Sequence, residues 1–274
     1  MNPEFRADLH CHSTCSDGSD SPMDLVKKAK LANLHGLSIT DHDSIEAYTP
    51  ELFSLAKELG VRLLSGVELS SELKNITVHV LGYGFDLQSE SLLSFLREMQ
   101  QRRNDRNREI LEKLRGRKIM VFEEEVLSLF PEEKKSIGRP HIAALMIKKG
   151  YVNSLKDAFE LYLKEGGSCY VPGFKFTPGD AIHQIHQAKG KAVLAHPHFI
   201  HPKSVKALLE LPFDGLECHY GTLHKHKEAP WLKIAKGKGW IATGGSDYHG
   251  VFKPHISLGC SWVNEAIFDQ LISP

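Results

Sequence analysis

Disulfide chemistry is the first thing this sequence lacks. Its five cysteines, Cys11, Cys15, Cys169, Cys218 and Cys260, are scattered, odd in number and form no CxxC pair. That pattern reads as reduced thiols and excludes both a disulfide framework and a zinc-thiolate site. Net charge is absent too: 34 Lys and Arg balance 34 Asp and Glu. No global field therefore recruits nucleic acid or a membrane surface, and attraction for an anion must come from a local source. No stretch reaches the ~18 apolar residues of a membrane span. The first ten residues, MNPEFRADLH, contain no apolar signal region. Internal repeats and low-complexity linkers are missing as well. These absences lead to the expectation of a cytoplasmic protein with no membrane contact and no obligate protein partner.

Histidine is what the chain has in excess, with sixteen in 274 residues. Its 41% hydrophobic and 25% charged content is ordinary for a soluble globular enzyme. The length suits one large α/β barrel, or a barrel carrying an insertion. Seven short runs rich in Val, Ile and Leu, at 5–12, 36–40, 62–69, 76–84, 192–195, 215–219 and 240–244, read as strands buried on both faces. Helical patterns at 23–33, 44–59, 178–189, 204–211, 225–238 and 264–272 separate most of them. Pro22 opens the first, and Gly60 and Gly190 stop two others. Such alternation implies a mostly parallel sheet curled into a barrel.

The alternation breaks between about 89 and 176. Helical patterns at 92–115, 123–130, 140–149 and 155–165 follow one another there without a convincing strand. The expected organisation is a barrel in two parts, 1–88 and 177–274, with a substrate-capping helical insertion at 89–176. Basic residues from Arg97 to Lys118 crowd the start of the insertion, interleaved with Glu98, Asp105, Glu109 and Glu112. The i,i+4 pairs they allow make a solvated helix face the expected role, with a groove along a phosphate backbone as the alternative.

The stretch ADLHCHSTCSDG, residues 7–18, organises the functional reading. Side chains alternate along a strand, so Asp8, His10 and His12 share a face and Leu9 and Cys11 take the other. Two imidazoles at this spacing can grip one metal ion, although an isolated HxH is more often structural. The recurrence of the pattern decides the matter. TDHDS (40–44), GVELS (66–70), TVHVLGY (77–83), LAHPH (194–198) and GSDYHG (245–250) each close an apolar run with a candidate ligand. Ligands arriving at the ends of successive strands are how a barrel builds a site.

Taken in order, DLHCHSTCSDGS, ITDHDS, GVELS, HVLGYG, AHP and GGSDYHG resemble the motifs of the PHP (polymerase and histidinol phosphatase) family. The resemblance implies an α/β fold, a distorted seven-stranded βα (TIM-like) barrel, and a hydrolase of phosphoesters. It also implies two or three divalent metal ions, manganese first, with iron or zinc as alternatives. Carried over position by position, His10, His12, Glu68 and Asp247 would hold the first ion. Glu68 would bridge to a second held by His79 and His196. Asp17, His42 and His249 would hold the third. Many relatives have His where Asp17 stands, and a carboxylate there still suits a hard cation. Asp8, His10, Glu68 and Asp247 are the expected catalytic set, with Asp8 orienting an imidazole. Asp43 is expected to cap the helix that begins near Ser44, with a supporting role like that of Asp8 as the alternative.

Within the insertion, SIGRPHIAALM (136–146) resembles a motif of the branch that removes the 3′-phosphate from nucleoside 3′,5′-bisphosphates. Relatives in that branch also trim 5′-monophosphorylated RNA from its 5′ end. Arg139 offers a planar fork for a terminal phosphate and His141 a further donor. His198 and His219, just past strand ends, are further candidates for reaching substrate. Tyr170, Phe174 and Tyr220 are candidates for stacking on a base. The expected partner is a nucleotide or short RNA. A small metabolite phosphoester such as histidinol phosphate, or a non-catalytic metal-stapled binding module, are the alternatives.

Overall fold

The computed structural model describes residues 4–74, 76–129, 137–173 and 176–272. Eight strands run through them: β1 (Ala7–Cys11), β2 (Gly36–Ile39), β3 (Arg62–Leu63), β4 (Gly66–Leu73), β5 (Ile76–Tyr83), β6 (Lys191–Leu194), β7 (Gly215–Tyr220) and β8 (Ile241–Gly245). The described helices include α1 (Pro22–Leu31), α2 (Pro50–Leu59), α3 (Glu90–Gly116), α4 (Glu123–Leu127), α5 (Arg139–Lys148) and α6 (Leu155–Ala158). They continue with α7 (Pro178–Gln187), α8 (Pro202–Leu208), α9 (Lys225–Lys238) and α10 (Glu265–Ile272).

The sheet differs from the expected single barrel. One sheet has the order β1-β2-β3, all parallel, and the other has the order β4-β5-β6-β7-β8. The expected strand at 62–69 is broken at Leu64 and Ser65, so β3 closes the first sheet and β4 opens the second. In the second sheet β5 lies antiparallel to both β4 and β6, and only β6-β7-β8 are parallel. The reason is the link from Leu73 to Ile76, which is too short for a parallel crossover. The two sheets do not close into one seven-stranded barrel, yet they touch along two seams. At one, Cys11 bridges Tyr248, and the Asp247 amide donates to the His10 carbonyl at 2.7 Å. At the other, His42 bridges Glu68, and the Asp43 amide donates to the Glu68 carbonyl at 3.0 Å.

Local sequence explains the helix starts. Ser21 caps α1 by accepting from the Asp24 amide, and Thr49 caps α2 by accepting from the Leu52 amide. In both, proline occupies the first turn. The helix expected from residue 44 begins only at Pro50, because proline forces the residue before it out of the helical region. Residues 40–49 are thereby left as a loop. Gly60, at φ +68°, ends α2 in a conformation that glycine adopts without strain.

The insertion is tied into both cores by one helix. The first turns of α3 bury Leu92, Phe95, Leu96 and Met99 against Val67, Leu69 and Val80 of the second sheet. Its last turns bury Ile110, Leu111 and Leu114 in a separate cluster with Val126, Ile142, Met146 and Leu163. Emptying one such buried leucine to alanine costs ~2–5 kcal/mol, so this rigid rod fixes where the insertion sits over the sheets.

Candidate metal centre and its flanking cavities

The seams bring together side chains far apart in the chain. His10 Nε2 lies 3.3 Å from Glu68 Oε2 and 3.4 Å from Asp247 Oδ1. His12 Nε2 lies 3.2 and 3.3 Å from the same two oxygens. Donors held ~2.0–2.2 Å from one tetrahedral ion stand about 3.3–3.6 Å apart, and His10, His12 and Asp247 are grouped closely enough to hold one cation, with Glu68 Oε2 beside both imidazoles. The other Glu68 oxygen, Oε1, lies 2.8 Å from His79 Nδ1 and 3.0 Å from His196 Nε2. Asp17 completes a third group, with Oδ1 3.3 Å from His249 Nε2 and Oδ2 3.7 Å from His42 Nε2. His10 Nε2, His12 Nε2 and His42 Nδ1 are buried and make no hydrogen bond of good geometry. Buried nitrogens left so, each beside a carboxylate oxygen, are what a common cation would satisfy. The described residues fit divalent ions with mixed nitrogen and oxygen donors and no thiolate.

Electrostatics favour the ligating forms of several members. Burial alone would raise Glu68, but the imidazoles around it, His79 first, hold its carboxyl well below the usual range. Burial opposes Asp247 in the same way, and the Lys253 ammonium outweighs it. Burial pushes His42 well down, towards the neutral imidazole that a metal requires. His12 behaves oppositely: burial disfavours its charge, but Asp247 and Glu68 raise it to about 9.

The supports of this cluster differ from those expected. Among the described residues Asp8 makes no bond to an imidazole. Its Oδ1 accepts from the Ser246 amide at 2.9 Å and the His10 amide at 3.2 Å, and its Oδ2 from the Gly259 amide at 2.8 Å. Asp8 therefore locks the β1–β8 seam, and its assignment to the catalytic set is replaced by this positioning role. Glu217 orients the imidazole instead. Its Oε1 lies 2.8 Å from His10 Nδ1, and its Oε2 accepts from the His196 amide at 2.7 Å. The sequence carried a signal for Glu217, a carboxylate in the middle of the buried run GLECHY. Asp247 turns its second oxygen to the Tyr220 hydroxyl and the Lys253 ammonium, each at 2.6 Å. Lys253, six residues beyond Asp247 in a loop, gave no signal in the sequence. Asp247 and His196 both take left-handed backbone conformations, at φ +57° and +26°. Such strain persists only where the surroundings enforce it.

Asp43 does not cap a helix. It sits at φ +54°, and its Oδ1 accepts from the Ser70 amide at 2.7 Å. Its Oδ2 takes the Arg103 guanidinium, with Nε at 3.1 Å. The solvated face expected for the start of α3 is corrected on this side: Arg103, Arg106 and Asn107 are buried.

Two cavities of about 340 Å³ each open onto the cluster, and His42, His79, His249 and Lys253 line both. The first adds Arg103, Arg106, Arg139 and Lys156 from the insertion. Burial and the repulsion of Arg139 and Arg103 pull Arg106 down to about 10. Arg139 donates to the Leu163 carbonyl at 3.2 Å and stacks 5.8 Å from the Phe159 ring centroid. The second cavity adds Phe199, Tyr220, Thr222, His255 and Ile256.

Three expected substrate contacts are corrected. His141 is fully buried, accepts from the Gly138 amide at 2.8 Å, and lines neither cavity. It closes the first turn of α5. His219 pairs with Glu228 at 2.8 Å in a different cavity. A bulge in β7 between Glu217 and His219 breaks the alternation that would have aimed it at the cluster. His198 lies behind the second cavity, edge-on to Tyr220 at 4.6 Å, and burial pushes it down to about 4. Tyr170 lies 5.4 Å from the Arg106 guanidinium. Ser136 and Phe174 lie outside the described residues.

The sequence matches the PHP domain over residues 8–166. It is 32% identical over 259 residues to the 5′-3′ exoribonuclease Rnm of Escherichia coli, an alignment spanning 92% of this chain and 87% of that one. It is 29% identical over 248 residues to the 3′,5′-nucleoside bisphosphate phosphatase of Chromobacterium violaceum, spanning 88% of this chain and 86% of that one. A solved structure from Bifidobacterium adolescentis superposes with a TM-score of 0.88 at 28% identity, covering 99% of this chain and 97% of the other.

Proposed function

Because the chain belongs to the PHP family, whose members of this kind are metal-dependent phosphoesterases, we propose that it hydrolyses the bond between a nucleotide's 3′-oxygen and its phosphate. The substrates are nucleoside 3′,5′-bisphosphates and 5′-monophosphorylated RNA trimmed from the 5′ end. One observation carries the reading: the arginine-walled cavity is also lined by the candidate metal ligands Asp17, His42, His79 and His249. Arg139 lines that same cavity, so one nucleotide can meet Arg139 with its 5′-phosphate and the ligands with its 3′-linkage. The chain itself carries no net charge, so these guanidinium groups are the local attraction a phosphate needs. Arginine forks bind phosphate in a planar, paired geometry that lysine does not offer.

His10, His12, Glu68, His79, His196, Asp247, Asp17, His42 and His249 are the proposed metal ligands. Bound divalent ions would supply Lewis-acid activation of water and neutralise charge on the phosphate oxygens. Manganese is the proposed ion, since mixed imidazole and carboxylate donors suit it better than an all-oxygen magnesium site. The chain's own residues prepare the site. Glu217 fixes the His10 ring, Tyr220 and Lys253 fix Asp247, and Asp8 fixes the strand between them.

The test is phosphate release from adenosine 3′,5′-bisphosphate by protein stripped of metal and reloaded with manganese, magnesium or zinc. Release that is fastest with manganese and far slower from 3′-AMP supports the proposal. Equal rates on the two substrates would show that no 5′-phosphate is held.

A further inference from the structure

The second cavity holds Glu68, His196 and Asp247 beside the wall it shares with the first cavity, but the rest of its lining is different in kind. The first cavity adds four cations and the second adds none, apart from the shared Lys253. Phe199 supplies an aromatic face at its rim and is 64% exposed. This exposure is not slackness. The left-handed turn at His196 leads into a short 3-10 turn, Pro197–Phe199, that carries the ring outward. Tyr220 meets that ring edge-on at 5.3 Å, and His198 packs 4.1 Å from it. Tyr220 is anchored in turn by its bond to Asp247. A large apolar ring, held firmly beside a metal cluster and left open on one face, has the form of a stacking platform.

Resting on the functional reading above, we propose that the second cavity receives the nucleotide downstream of the scissile phosphate, with its base stacked on Phe199. The chemistry fixes which side is which. Water adds its oxygen to phosphorus, the bond from phosphorus to O3′ breaks, and a proton from the water ends on that O3′. The first nucleotide leaves as a nucleoside 5′-monophosphate from the arginine cavity. The phosphate stays on the downstream chain as its new 5′-end. In a bisphosphate that phosphate carries no further nucleotide, so the Phe199 end of the second cavity holds nothing. Phe199 is thus a specificity residue for RNA chains and takes no part in bisphosphate hydrolysis. Stacking tolerates every base, as trimming RNA of any sequence requires.

The experiment compares Phe199→Ala and Phe199→Trp with the wild-type, manganese-loaded protein. The substrates are adenosine 3′,5′-bisphosphate and a 5′-monophosphorylated trinucleotide RNA. Loss of one base stack lowers kcat/KM on the trinucleotide by roughly 5- to 150-fold in Phe199→Ala, with bisphosphate hydrolysis unchanged. Phe199→Trp restores cleavage of the trinucleotide. Its added fluorescence is quenched by the trinucleotide and not by the bisphosphate. A Phe199→Ala protein that cleaves both substrates normally, or loses both equally, overturns this proposal alone. A wild-type protein inactive on both overturns the functional reading, and this one with it.

Discussion

Arg103, near the middle of the long helix α3, grips Oδ2 of Asp43, the residue that follows the candidate ligand His42. Its Nη2 also donates to the Ser70 hydroxyl at 2.8 Å, on the strand that carries Glu68. One guanidinium of the insertion therefore clamps two ligand-bearing segments of the sheets. Both partners of the ion pair are buried.

Breaking this pair isolates a buried carboxylate. Arg103→Ala should cost ~3–5 kcal/mol of stability, the usual penalty for removing one side of a buried pair. His42 rides on the freed loop, so the site formed by Asp17, His42 and His249 should lose affinity before the others. Thermal melts and metal counting by mass spectrometry check both. A variant that melts like wild type with full metal content would deny the clamp.

Glu217 sets the orientation of His10 from outside the ligand set. Glu217→Gln keeps the shape and removes the charge. Loss of such an outer partner weakens metal binding by roughly 10- to 100-fold. Calorimetric titration of the stripped protein measures it, and circular dichroism shows whether the fold is intact. Unchanged affinity would mean that the His10 ring is held by packing alone.

Metal uptake should depend on pH through His12. Its folded-state value, raised to about 9 from an ordinary 6.5, makes its protonation stabilising in the metal-free protein. That contribution is complete below pH 6.5 and is lost as pH climbs through about 9. Ligation needs the neutral ring, so binding at pH 7 expels this proton. Apparent affinity should climb across that window, and the binding enthalpy at pH 7 should vary with the ionisation enthalpy of the buffer. An enthalpy independent of buffer contradicts the coupling.

Arg139 should discriminate between substrates with and without a 5′-phosphate. Hydrogen bonds to a charged group are worth ~1.5–3 kcal/mol, so Arg139→Ala should lower kcat/KM on adenosine 3′,5′-bisphosphate by roughly 10- to 150-fold. The slower reaction of 3′-AMP should barely change. Equal losses on both substrates would assign Arg139 to the fold of the insertion.

Sequence periodicity sufficed for what repeats and failed where a single backbone event intervened. The motifs that carry the candidate ligands stand out because most close an apolar run, as His12 follows β1 and Asp247 follows β8, while the assignment of nine ligands, Asp17 among them, rests on the resemblance to the PHP family. The strand at 62–69 was misread as continuous, since nothing in Leu64-Ser65 announces a change of sheet. His219 falls inside β7 and not past its end, and a register shift after Glu217 changes the way it faces. Asp43 looks like a helix cap only while Pro50 is overlooked. Arg103 acts on Asp43 across a stretch of chain that no local pattern encodes, and Lys253 reaches Asp247 from an irregular loop with no periodicity to mark it. His141 was read as a donor because the motif around it is distinctive, yet its burial makes it part of the scaffold.

The two seams between the sheets have a mechanical consequence. Each is stitched by few backbone bonds and flanked by ligands from both sides: His10 and His12 against Asp247, and His42 against Glu68. A cation held there acts as a rivet through both plates. Draining it frees the joint where backbone pairing is sparsest, so amide protection should vanish first along residues 10–13, 41–43 and 246–249, while the interiors of the sheets stay shut.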